Sequence, residues 1–267
     1  MAQSEPTLAG LRLLLTRPAG QSADWRRDLQ ALGATLSHVP VLLIESIPMD
    51  EETVAAINNL QQYDIGIFVS TNAVRYAYAG IVEQQKPIPN GLQCYAVGDK
   101  TTNAALKAGF NVLATGAVDS DSLLSLSELQ QLQGKRVLVF RGQGGRELIT
   151  QTVRARGAEV THAELYRRGY PHEKESELGR VLTKWRPHIV CVTSVAGVHN
   201  LIRMAHAADV LEQLQATPLL VPGDRVAAAA QANAFAKVLT ARSMRFTDVS
   251  YALCDWWRAA RVGAANN

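Results

Sequence analysis

Short apolar runs alternate with amphipathic stretches along the chain. Residues 13–16 read as a short buried strand. Trp25, Leu29 and Leu32 follow at i, i+4 and i+7, one stripe of a helix. Gly33 then fits the C′ position, where a left-handed backbone closes the helix. Residues 65–69 and 189–193 are further buried strands, and the Ala-rich segments after Gly98 and Gly223 predict helices. Val249 and Leu253 stand with Trp256 and Trp257 on a final helix, where core packing explains the aromatics better than a binding platform. Strand–helix alternation of this type predicts parallel α/β domains with helices on both faces of each sheet. In such folds ligands gather at the carboxyl ends of the strands.

The pattern occurs twice. Arg17, Gly20, Ala31, Gly33, Ala34 and His38 recur, 124 residues on, as Arg141, Gly144, Ala155, Gly157, Ala158 and His162. The same offset sets DIGIFVS at 64–70 against HIVCVTS at 188–194, and Val74 against Val198. After one inserted residue, VGDK at 97–100 meets PGDR at 222–225, and Phe110 meets Phe235. Any two α/β units share strand–glycine–helix punctuation, but ordered matches over most of both halves point to a duplicated domain. Residues 39–48 and 161–171 break the alternation at equivalent places. Each is extended and ends at a proline, which disfavours helix at itself and at the residue before it. Paired together, they would form a two-stranded hinge.

The 267 residues suit two domains. Hydrophobic residues at 47% and charged residues at 19% exclude disorder as a global description. No apolar run approaches the ~20 residues of a membrane span, and residues 1–10 lack the apolar core of a signal peptide. Cys94, Cys191 and Cys254 are too few and too scattered for a disulfide scaffold, which points to a reducing cytosol. A net charge of +3 predicts neither nucleic-acid nor membrane-surface binding.

Candidate chemistry collects at the strand ends. TRP at 16–18, STNA at 70–73 and GDKTT at 98–102 follow strands in the first copy; RGQGG at 141–145, Thr193 with Ser194, and GDR at 223–225 follow them in the second. Glycines and small hydroxyl residues at helix starts leave N–H groups free for an anion, hydroxyls add donors, and an arginine adds a bidentate contact. The competing reading makes Ser70, Asn72 and Ser194 plain helix N-caps. The turn at 141–145 invites a dinucleotide reading, with Glu164 placed for a ribose contact, but Glu147 stands where the third glycine belongs. No metal-ligand spacing, phosphate loop or nucleophile elbow is present, and Cys191 inside a strand reads as an inert core thiol. Tyr166, in the second connector, is either a donor directed into an inter-domain cleft or a half-buried strand tyrosine.

The chain resembles the uroporphyrinogen-III synthase family. The resemblance rests on LLLTRP at 13–18, the Gly33 turn, FVSTNAV at 68–74, YAVG at 95–98, VLVFRG at 137–142, GAEV at 157–160, LYR at 165–167 and VTS at 192–194. It implies two similar parallel-sheet α/β domains joined by a two-stranded extended linker, with crossed connectivity: 1–37 with 172–267, 49–160, and linkers 38–48 and 161–171. It implies a cofactor-independent, cytoplasmic monomer that closes hydroxymethylbilane, a linear tetrapyrrole with eight carboxylates, to uroporphyrinogen III. Water is lost and the terminal ring is inverted through an azafulvene cation and a spirocyclic intermediate. Tyr166 is implied as the donor to the departing hydroxyl. Arg17, Ser70, Thr71, Asn72, Gly98, Thr101, Thr102, Arg141, Gly142, Ser194 and Gly197 are the implied substrate contacts. Asp224 departs from the Ser or Thr frequent in the family's last Gly-rich turn and puts carboxylate contacts there in doubt. Two other classes fit less of the pattern: a non-catalytic sensor of small anions and a nicotinamide oxidoreductase.

Overall fold

The computed structural model describes residues 7–145, 147–243 and 245–265. In chain order it forms β1 (Arg12–Leu15), α1 (Ala23–Ala31), β2 (Thr35–His38), β3 (Leu43–Ser46), α2 (Glu51–Asn58), β4 (Ile65–Phe68), α3 (Thr71–Glu83), β5 (Gln93–Ala96), α4 (Asp99–Lys107) and α5 (Ser120–Leu124). There follow β6 (Arg136–Gly142), α6 (Leu148–Ala155), β7 (Glu159–Gly169), α7 (Glu175–Arg180), β8 (Ile189–Cys191), α8 (Val195–Ala207), α9 (Leu211–Ala216), β9 (Leu219–Pro222), α10 (Gly223–Gln231), β10 (Val238–Ala241) and α11 (Phe246–Ala265). Among the described residues no helix is long and apolar enough to cross a membrane.

These elements divide into two compact units, Met1–Leu43 with Gly169–Asn267, and Ile44–Arg168. The first has a parallel sheet in the order β10-β9-β8-β1-β2. The second has the order β3-β7-β6-β4-β5, parallel from β7 to β5. The repeat explains both orders: β1, β2, β8 and β9 of the first unit correspond to β6, β7, β4 and β5 of the second. Even β10 has a counterpart, a single parallel bridge between Cys94 and Val112 at the β5 edge. The first unit takes its opening strand–helix–strand from the N-terminus and the rest from the C-terminal part, so its chain order is a circular permutation of the second.

Residues 38–48 and 161–171, expected as connectors outside both domains, are largely absorbed into the units. Val39 and Val41 are buried in the first unit and donate to the Leu15 and Thr16 carbonyls. Residues 161–168 continue β7, with β6 and β3 as its neighbours. The physical reason is local: a strand edge leaves N–H and C=O groups unpaired, and an extended segment alongside satisfies them. The units therefore part at Leu43 and Gly169.

Side chains alternate across each sheet as strand geometry requires. Leu13 and Leu15 face α1 and α11, with Trp25, Leu29, Val249 and Leu253. Leu14 faces the opposite layer, with Val198, Leu201 and Leu214. In the second unit Val137 and Val139 face Ile149 and Val153 of α6. Leu138 and Phe140 face Val74 and Ala77 of α3. Phe140 stacks on Phe68 with centroids 4.5 Å apart, an arrangement worth ~0.5–1.5 kcal/mol beyond area burial. Gly33 adopts φ +92° just past α1, the left-handed C′ position its sequence context predicts. On α11, Trp257 donates its indole N–H to the Ala9 carbonyl at 3.0 Å and stacks on His188, so this pair of tryptophans packs as the pattern predicts.

Candidate active site

The carboxyl ends of β4, β5 and β6 bring most of the second unit's candidates to one edge of its sheet. After β4 the chain stays extended at Ser70 (φ −168°) and then enters α3. Ser70 Oγ accepts from the Ala73 N–H at 3.1 Å, an N-cap. The first-turn N–H groups of Thr71 and Asn72 point beyond the helix end, as helix geometry leaves them. Both readings of Ser70 therefore hold at different atoms: its side chain caps, and the backbone after it offers N–H donors.

Tyr166 lies on β7 inside the unit and is 2% exposed, more deeply buried than the half-buried strand tyrosine that was one of its two expectations. A β-bulge places it there. On β7, Val160 packs with the α6-side layer, and His162 bonds Thr150 of α6 at 2.8 Å. Ala163 and Leu165 face the α3 layer. Simple alternation would put Tyr166 on the α6 side, but the register jumps from Arg141 opposite Glu164 to Gly142 opposite Tyr166. The extra residue, Leu165, turns Tyr166 onto the α3 side. Its ring then lies against Gly142, where an added Cβ would come within 2.6 Å of it. The Tyr76 ring of α3 stacks with it at 5.6 Å, and the Tyr166 hydroxyl meets Ser70 Oγ at 2.8 Å. Gly142, expected as a substrate contact, thus serves as the seat of the tyrosine.

The Arg141 guanidinium, expected as a substrate contact, is engaged within the unit. It points to the α6 side and is buried. It pairs with Glu147 at 2.8 Å and Glu164 at 3.7 Å, and donates to the Gly145 carbonyl. A buried cation needs such partners; Gly145 and Glu147 follow β6, and Glu164 lies on the neighbouring β7. Thr101 and Thr102 are also buried, and the Thr102 hydroxyl donates to the Gly98 carbonyl at 3.3 Å. Gly98 is half-buried at the start of α4, with the Thr101 and Thr102 N–H groups also donating to its carbonyl.

In the first unit Ser194 caps α8 by accepting from the Gly197 N–H at 3.0 Å, so that Gly197 donor is engaged and Gly197 itself is buried. Arg17 is half-buried, donates to the Gln21 carbonyl at 3.1 Å and lies over the Trp25 ring at 4.4 Å. Among the described residues no carboxylate pairs with it, and burial lowers its pKa. Asp224 is exposed in the first turn of α10. The Cys191 thiol is buried and pushed up to about 12, which suits an inert core thiol. No cluster of three or more metal-ligating side chains occurs among the described residues.

A sequence model of the family described as Uroporphyrinogen-III synthase HemD matches residues 23–249, most of both units. The chain belongs to the uroporphyrinogen-III synthase family. It is 34% identical over 173 residues to the uroporphyrinogen-III synthase of Escherichia coli K12, covering 62% of this chain and 69% of that protein. It is 30% identical over 210 residues to that of Synechococcus elongatus, covering 75% and 77%. Solved uroporphyrinogen III synthases share its fold. A Thermus thermophilus mutant form aligns over 94% of this chain and 99% of that one with a TM-score of 0.61 at 20% identity. The Helicobacter pylori uroporphyrinogen-III synthetase aligns over the same shares at 0.59 and 15%.

In this member of the uroporphyrinogen-III synthase family, neither Tyr76 nor the pairing of Ser70 with Tyr166 was expected from the sequence, and Glu147 was expected only as the residue that breaks a dinucleotide turn. Tyr76 sits among Ala73, Val74 and Ala77 and reads as core. The consecutive apolar pair Leu165 and Tyr166, in a strand that otherwise alternates, was the one available sign of a bulge.

Proposed function

We propose that this chain closes hydroxymethylbilane to uroporphyrinogen III, with inversion of the terminal pyrrole and loss of water, in the biosynthesis of tetrapyrroles and heme. The observation that carries the reading is the family match over residues 23–249, which includes every candidate residue except Arg17. The chemistry is within reach of these side chains. The pyrrole nitrogen pushes electrons towards the hydroxymethyl carbon, the C–O bond breaks, and the oxygen leaves as water after accepting a proton. Tyr166 donates the hydrogen bond that assists this departure. The proton lost when the last pyrrole regains aromaticity balances the one taken up. Spontaneous closure gives the type I isomer, so holding the chain's geometry matters as much as acid assistance. The α3 N–H groups of Thr71 and Asn72, the α8 terminus at Ser194, and Arg17 receive substrate carboxylates.

In this reading the enzyme uses no cofactor, binds no nucleic acid and works as a monomer in the reducing cytoplasm, where its three free, buried cysteines stay reduced. The test is incubation with freshly generated hydroxymethylbilane and chromatography of the oxidised porphyrins. Type III product is expected; type I alone would overturn the proposal. Size-exclusion chromatography with light scattering tests the monomer.

A further inference from the structure

Resting on that reaction, we propose that Ser70 is a positioning residue that acts through Tyr166, and that the two hydroxyls work as one donor relay rather than as separate substrate contacts. Ser70 Oγ accepts from the Ala73 N–H at 3.1 Å and lies 2.8 Å from the Tyr166 hydroxyl. A hydroxyl has one proton to give and two lone pairs to accept with. The Ala73 N–H already polarises the Ser70 oxygen, and that oxygen sits at the positive end of a 13-residue helix. Both effects favour Ser70 as the donor to the tyrosine oxygen. The chain Ala73 N–H to Ser70 O–H to Tyr166 O–H then leaves the phenolic proton free. Each link strengthens the next.

The rest of the geometry holds the phenol to this one arrangement. Gly142 lies against the ring, and Tyr76 stacks with it. Tyr76 is itself pinned by donating its hydroxyl to the Ile44 carbonyl at 3.0 Å. Rotation of the ring away from Ser70 would need one of these to move. The equivalent serine of the repeat, Ser194, shows what the serine does without a tyrosine: among the described residues its hydroxyl makes only the cap bond.

A double-mutant cycle tests the relay, with kcat and KM measured for hydroxymethylbilane in the wild type, Ser70→Ala, Tyr166→Phe and the pair. Ser70→Ala is expected to lower kcat about tenfold, the scale of one lost hydrogen bond to the donor. In the Tyr166→Phe background it is expected to lower kcat less than about twofold, with KM little changed throughout. Ser70→Thr, which keeps cap and hydroxyl, should restore most of the rate. Asp50→Ala removes another N-cap of the same unit, where Asp50 accepts from Thr53 at 2.8 Å. It should match the stability loss of Ser70→Ala and leave kcat unchanged. If Ser70→Ala does not fold, Ser70→Asn, which keeps a capping oxygen, runs the same cycle. Equal losses in both backgrounds, or a loss confined to KM, would overturn the relay while an active wild type left the reaction standing. A wild type that makes no type III isomer would instead remove the reaction on which the relay rests.

Discussion

The two units are copies of one design, yet they keep different chemistry at the same edge. Both cap the helix after an interior strand, β4 in the second unit and β8 in the first, with a serine, Ser70 or Ser194, each accepting from the N–H three residues on. Both carry an arginine at the carboxyl end of their repeat-opening strand, Arg141 inside β6 and Arg17 two residues past β1. There the likeness stops. Beyond Arg141 comes Gly142, which leaves room for a tyrosine ring, whereas beyond Arg17 comes Pro18. β7 runs from Glu159 to Gly169 and delivers Tyr166 through its bulge; β2 ends at His38, and the position equivalent to Tyr166 is Leu42. The arginines diverge as well. Arg141 is buried between Glu147 and Glu164, whereas Arg17 lies over Trp25 with no carboxylate partner among the described residues. In the proposed reaction both edges receive carboxylates, and only the edge of the second unit also holds a hydroxyl donor.

The sharpest way to break this comparison is Tyr166→Phe. Turnover is expected to fall by about 10²-fold, with KM changed far less; steady-state kinetics showing full turnover would remove the distinction between the units. Gly142→Ala comes next. Its methyl meets the Tyr166 ring, so turnover should fall roughly tenfold and stability by ~1–3 kcal/mol, read by kinetics and chemical denaturation. The matching change Pro18→Ala in the first unit should leave turnover close to wild type.

Arg141→Ala and Arg17→Ala should then fail in different ways. The first strands Glu147 and Glu164 and should lower stability by ~2 kcal/mol, seen in thermal melts. The second should leave the melt nearly unchanged and raise KM several-fold. The reverse assignment would mean that the two arginines had been read the wrong way round.

Acid should produce the smallest difference. His38 and His188 in the first unit and His162 in the second are pushed below their ordinary pKa, first by burial. The neutral His188 ring accepts from the Arg12 N–H at 3.1 Å, a bond that its protonation removes. Each histidine binds its proton less readily folded than unfolded. Their contribution is therefore complete above about pH 6.5 and is lost as pH falls through the folded-state values. Hydrogen exchange at pH 5 against pH 7.5 should show protection falling more in the first unit than in the second.

Much of this was legible along the chain. Buried strands, helix stripes, the Gly33 stop and the duplicated order depend on local periodicity and on which side chains water rejects, so they survive without knowledge of partners. Ser70 and Ser194 were legible as caps because a cap is a contact three residues long. Arg141 was not. As a sequence feature it equals Arg17, and only its pairing with Glu147 and with Glu164 of β7 decides that its charge is neutralised internally.

Sequence by itself determined the two α/β copies, their parallel sheets and the residues gathered at the strand ends. Tertiary structure alone decided which of those residues remain available and which face Tyr166 occupies. A single extra residue in β7 inverts the facing of everything after it, and the register that sets this depends on pairing with β6, of which the apolar pair Leu165 and Tyr166 is only a local trace.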